Sequence, residues 1–136
     1  MPSALLFMIK VYVKKQSNYP VSTPKIKRKL AEFLKSKGIV SDADVSVIIV
    51  GKSAMMNLSK KYLNESGVIH NVLSFPFNEA KEDFIAPPDN KIHLGEIIIC
   101  YPKAQEEANN EQKLTDDKVY ELIEHGALHL MGEHHE

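Results

Sequence analysis

The sequence predicts an α+β fold, a single domain over residues 1–136 built on a small four-stranded mixed β-sheet with packed helices. Three observations predict it. A length of 136 residues, with 43% hydrophobic and 26% charged residues, is that of one globular domain able to bury a sizeable core. Short apolar, β-branched runs alternate with stretches of helical periodicity in the order β-α-β-α-β-β-α-α. The first two β-α-β steps predict parallel pairing, and the helix-free connection between the third and fourth strands predicts one antiparallel edge.

Each element has its own signal. Leu5–Val13 (LLFMIKVYV) reads as the first strand. Ser22 or Thr23 can cap a helix with Pro24 at its first position; Ile26, Leu30, Phe33 and Leu34 share one face, and Gly38 is the stop. Val45–Val50 (VSVIIV) alternates little and reads as a strand buried on both faces. Ser53 can cap a short helix with Met55, Leu58 and Tyr62 inward, broken at Asn64–Gly67. Val72–Phe77 (VLSFPF) is a third strand, and Pro76 within it predicts a sheet edge. Asn78–Lys91, with Pro87-Pro88, is a long polar loop. Leu94–Cys100 (LGEIIIC) is the fourth strand, followed by Pro102 and a helix to about Gln112. Thr115 caps a last helix with Val119, Leu122, Ile123 and Leu130 as its apolar stripe, ending at Gly132.

Composition excludes some classes and leaves others open. No apolar run reaches the ~18–20 residues that span a membrane. Met1–Ile9 lacks a basic n-region and a small-residue cleavage site. The single cysteine, Cys100, cannot form an internal disulfide and reads as a buried thiol, so a cytoplasmic protein is expected. Net charge is −1, but it is unevenly spread. Residues 1–37 hold nine Lys/Arg against the single acid Glu32, whereas residues 78–136 hold five Lys against fourteen acids. The basic first quarter suits either a polyanion-binding face or a solvated lysine-rich helix.

The histidines are the most informative feature. Four of the six, His125, His129, His134 and His135, fall in the last twelve residues. His125 and His129 are i, i+4 on the last helix, so their imidazoles project from one face, a spacing that suits two ligands of one metal ion. Gly132 lets the chain turn back, which can bring His135, or His134, to the same ion. Three neutral imidazoles leave a tetrahedral zinc one open position for water. Metzincin proteases share this spacing, but their general-base glutamate is replaced here by Gly126. Glu124 lies about 100° around the helix from His125. Gly126 is expected to face the metal pocket and leave room for a bulky substrate group.

The run His125-Gly126-Ala127-Leu128-His129-Leu130-Met131-Gly132, followed by His135, resembles the H-G-x-L-H-L-x-G-x-x-H signature of the YbeY endoribonucleases, also called rRNA maturation factors. Val72-Leu73-Ser74-Phe75-Pro76, Leu94-Gly95-Glu96-Ile97-Ile98-Ile99-Cys100, and Met56-Asn57-Leu58 to Tyr62 are similar to further stretches of the family. The resemblance covers roughly residues 45–135. It implies one metal-dependent hydrolase domain with a zincin-like metal helix. It further implies a single zinc ion on His125, His129 and His135, and a cytoplasmic enzyme that cleaves single-stranded RNA in ribosomal RNA processing and maturation. Ribosomal RNA is the implied partner, with ribosomal proteins as further partners. Where the family carries Tyr-Arg, this chain has Tyr62-Leu63, so that arginine is missing or its role passes to Lys60 or Lys61. His134 stands where the family commonly has Asp, and His70-Asn71 where it has Thr-Asp.

RNA hydrolysis at one metal needs a bound water and charge stabilisation on the phosphoryl oxygens. By loop and strand position, Lys60, Lys61, His70 and Ser74 are the candidates to assist. The expectation favours Lys60 and Lys61, as lysines nearer the metal, over Lys27 and Lys35 of the basic first helix. Two other readings compete: a zinc metallopeptidase-like hydrolase with a base from elsewhere, and a non-catalytic ribosome- or RNA-binding protein in which the metal is structural.

Overall fold

The computed structural model describes residues 7–77 and 91–132. Its elements are β1 (Ile9–Lys15), α1 (Thr23–Ser36), β2 (Ala43–Val50), α2 (Lys52–Leu63), β3 (Val72–Pro76), β4 (Ile92–Cys100), α3 (Tyr101–Glu111) and α4 (Thr115–Leu130). All eight expected elements are present in the expected order. Leu5 and Leu6 of the expected first strand, and residues 78–90 of the expected loop, lie outside the described residues.

The sheet order is β1-β2-β4-β3. β1 pairs parallel with β2, β2 parallel with β4, and β3 antiparallel with β4. The chain therefore crosses from β2 through α2 to the outer edge, lays down β3, and returns with β4 to fill the gap. β3 is the edge that Pro76 predicts. Between Asp44 and Ser46 the register with β4 shifts, so that Leu94 and Gly95 together oppose Val45. Gly95 has φ +130°, and a Cβ there would lie 2.2 Å from the Phe75 carbonyl oxygen. Only glycine allows β3 to approach β4 this closely.

The two faces are covered unequally. Val45, Val47, Ile49, Ile97 and Ile99 point to one face and pack with Ile26, Leu30 and Leu34 of α1 and with Val119, Ile123, Ala127 and Leu130 of α4. The other face carries a smaller cluster of Val50, Met55, Ile98 and Cys100, with Leu58 of α2 and Leu73 and Phe75 of β3 against it. β2 is thus buried on both faces at its C-terminal end, while Asp44 and Ser46 are only half-buried. Burial pushes the Cys100 thiol pKa up, so the thiol stays protonated.

Local signals hold with small displacements. The Ser22 hydroxyl accepts from the Lys25 backbone N–H at 3.2 Å, and the α1 exit through Gly38 closes with Ile39 N–H to Leu34 C=O and Gly38 N–H to Lys35 C=O. α2 begins one residue before Ser53 and has Gly51 as its cap, because the Gln16 side chain accepts from the Gly51 N–H at 2.8 Å. α4 is capped by Leu114, with Thr115 already helical. Tyr62, expected inward, is 55% exposed and turns its ring against the edge-strand Phe75 at 5.2 Å. α2 covers only a narrow strip of sheet, so its last turn overhangs the edge.

Candidate functional site

α4 runs along the sheet with one stripe pressed into the core. Gly126 marks the closest approach. A Cβ built on it would lie 2.8 Å from Ile97 Cγ2 and 3.4 Å from Val72 Cγ2. This corrects the expectation of open room at Gly126. One position along a helix is about 100° of rotation, which turns this site away from His125 and into the sheet. The missing side chain is needed for packing, and it leaves no space for a substrate group.

His125 and His129 lie on the exposed side of the same helix. Their Nε2 atoms are 3.2 Å apart and the ring centroids 4.7 Å, edge to face. Two nitrogens bound to one tetrahedral zinc at ~2.0–2.1 Å would be about 3.3 Å apart. The pair therefore fits two ligands of one ion with hardly any movement. Without an ion the same contact is an N–H···N hydrogen bond between one Nε2–H tautomer and one acceptor. Among the described residues no group of three His, Cys, Asp or Glu side chains is arranged to hold a metal ion. His134 and His135, the candidates for the third ligand, lie outside the described residues.

The imidazoles open onto a cleft of about 680 Å³, walled by Asn71–Ser74 of the edge-strand region, by α4 from Lys118 to His129, and by Phe33 and Lys37 of α1. Ser74 lies in this wall, paired with Ile97 across the β3–β4 ladder. His70 precedes the wall and is tied to Glu65, Nε2 to Oε1 2.7 Å. Lys60 and Lys61 are exposed on the last turn of α2, which packs on the opposite sheet face, and neither lines the cleft. Lys61 lies 5.2 Å over the Tyr62 ring. Of the candidates within the described residues, the structure brings together His125, His129 and Ser74; it does not bring Lys60, Lys61 or His70 to them.

One cleft group, Lys118, escaped the sequence reading, and two others, Asn71 and Glu124, carried no candidate role in it. Lys118 is 6% exposed and ringed by carboxylates, with Nζ 3.0 Å from Glu111, 3.3 Å from Glu121 and 3.7 Å from Glu107. Burial alone would lower its pKa, but the hydrogen bonds to Glu111 and Glu121 outweigh it and the net shift is upward. Asn71 donates from Nδ2 to both Glu107 oxygens, at 3.0 and 3.3 Å. Glu124 lines the wall beside His125. Lys118 had a readable signal: seven residues before His125 is almost two full turns, so both project from one face. The contact of Asn71 with Glu107 had none, because the two are 36 residues apart.

The fold and cleft define a small mixed-sheet α+β protein in which a His-x-x-x-His helix borders an open groove beside an edge strand. The family model described as Endoribonuclease YbeY matches residues 12–136, and the chain belongs to this family. It is 36% identical to the endoribonuclease YbeY of Dehalococcoides mccartyi over 138 residues, covering 94% of this chain and 78% of that protein. It is 32% identical to the Thermus thermophilus endoribonuclease YbeY over 113 residues, covering 83% of this chain and 76% of that one. The solution structure of TM1509 from Thermotoga maritima superposes with a TM-score of 0.59 at 25% identity, covering 90% of this chain and 72% of that one. Among the described residues no helix is long and apolar enough to cross a membrane.

Proposed function

We propose that the chain is a zinc-dependent, single-strand-specific endoribonuclease that acts in ribosomal RNA processing and maturation in the cytoplasm, with ribosomal proteins as further partners. The observation that carries the reading is the His125–His129 pair, with Nε2 atoms 3.2 Å apart on an open cleft. Membership of the YbeY family supports RNA as the substrate. His125, His129 and His135 would hold one zinc ion, which supplies a water of lowered pKa and positive charge for phosphoryl oxygens when bound.

The chain's own residues supply the rest. The cleft, of about 680 Å³, has room for part of a flexible strand. Ser74, in its wall, can donate its hydroxyl to a phosphoryl oxygen. Lys37 stands at the rim over the Phe33 ring, 5.5 Å from its centroid, and adds charge where a phosphate backbone would enter. Lys60, Lys61 and His70 act from outside the cleft. The two lysines contribute long-range attraction to a polyanion, and His70 steadies the loop before β3 through Glu65. The packing of Gly126 against Ile97 speaks against a peptidase of the metzincin kind, since no side chain fits where that base would stand.

Metal content and cleavage of a single-stranded RNA test the proposal together. Wild-type protein should carry close to one zinc per chain, and chelation should abolish cleavage. His125→Ala and His129→Ala should each lose the zinc, and His135→Ala should weaken binding more than His134→Ala. Full metal content in the His125→Ala/His129→Ala double variant would overturn the metal site. Chelator-sensitive hydrolysis of casein without RNA cleavage would overturn the substrate.

A further inference from the structure

Asn71 is held in one orientation by partners that themselves cannot move freely. Its backbone carbonyl accepts from the Cys100 N–H at 2.9 Å, which anchors the residue to the end of β4. Its Nδ2 donates to Glu107. A carboxylate only accepts, so the amide nitrogen must face Glu107 and the amide oxygen must face away. Glu107 is in turn held by the buried Lys118 ammonium, which Glu111 and Glu121 also clamp. Among the described residues nothing donates to Asn71 Oδ1, and Asn71 lines the cleft. A half-buried, oriented acceptor therefore stands in the wall without a donor among the described residues.

Its place relative to the histidines selects what it can meet. Asn71 lines the same cleft as His125 and His129. A strand whose phosphodiester sits at the imidazoles lays a neighbouring sugar along this wall. We propose that Asn71 is the specificity residue that selects ribose over deoxyribose, its Oδ1 accepting a hydrogen bond from the 2′-hydroxyl of the nucleotide beside the histidine pair. This deepens the ribonuclease reading and rests on it. The physical basis is asymmetric. RNA satisfies the oriented acceptor, whereas DNA desolvates it and returns nothing.

The test uses zinc-loaded, full-length protein, with a single-stranded RNA as substrate and DNA of the same sequence as a competing inhibitor. Asn71→Ala should raise KM for the RNA about tenfold, the loss of roughly one discriminating hydrogen bond, and leave the inhibition constant of the DNA within about twofold. Glu107→Ala frees the amide and should lose the preference as Asn71→Ala does, which covers the case in which Asn71→Ala does not fold. Equal weakening of RNA and DNA in Asn71→Ala, or no change in either, would overturn the assignment. A wild-type enzyme that cleaves RNA but holds RNA and DNA equally would overturn the ribose assignment alone. One that neither cleaves nor binds RNA would overturn the ribonuclease reading as well.

Discussion

α4 and α2 lie on opposite faces of the same four-stranded sheet, and both carry residues that the sequence marked as functional. On the α4 face a large core of α1, α4 and the buried stripes of β2 and β4 holds the helix rigidly, and the histidine pair stands on its outer side. On the α2 face the core is a small cluster around Met55 and Ile98, and the last turn of the helix overhangs the edge strand with Lys60, Lys61 and Tyr62 exposed. A side chain placed for chemistry needs a support that does not yield, and here the larger core supplies it. The lysines have charge without such support, and an exposed charge is screened within about 8–10 Å.

The largest expected effect tests the seam on which both faces depend. Gly95→Ala must relieve a 2.2 Å contact with the Phe75 carbonyl at positive φ. It should cost about 3 kcal/mol or more and lower Tm by roughly 10 °C, read by thermal denaturation. A melting temperature within a degree or two of wild type would mean that β3 can separate from β4 without cost, and the rigid-support argument would fall.

The ion cluster on the α4 face should give the next effect. Hydrogen bonds from Lys118 hold the Glu111 carboxyl pKa below the ordinary value, and hydrogen bonds from Lys113 and then Lys118 do the same for Glu121. Groups whose folded pKa is depressed contribute stability above the unfolded value of about 4.3, and that stability is lost as pH falls through the folded pKa. Wild-type Tm should therefore drop as pH is lowered from about 6 to 3. Lys118→Met leaves Glu107, Glu111 and Glu121 crowded, should lower Tm at neutral pH, and should flatten the acid drop. An unchanged acid profile in the variant would show that the cluster does not brace α4.

Gly126→Ala should have a smaller effect. Crowding against Ile97 costs about 1–3 kcal/mol and the better helix propensity of alanine returns up to about 1, so a net loss near 1 kcal/mol, or a few degrees in Tm, is expected. A more stable variant would show that Ile97 yields and that α4 does not depend on the close approach. The smallest effect belongs to the other face: Lys60→Ala with Lys61→Ala should keep full zinc and reduce RNA cleavage by no more than about twofold. A loss as deep as that of His125→Ala would break the contrast between the faces.

The element order, the edge position of β3, the caps of α1 and the i, i+4 histidine pair were legible in the sequence, because each depends on neighbours a few residues away. Hydrophobic period, turn residues and the rise of one helical turn are local properties. The insertion of β4 between β2 and β3, the contact of Asn71 with Glu107 and the separation of Lys60 and Lys61 from the histidines were decided only by the tertiary structure. Each depends on which strand fills the gap in the sheet and on which side each helix lies, and those choices come from burying the whole apolar surface at once. Gly126 shows the division most plainly. The sequence by itself determined that the position next to His125 has no side chain; only the fold decided that the space belongs to Ile97 and Val72, because α4 had to press its stripe into a sheet assembled from residues distant along the chain.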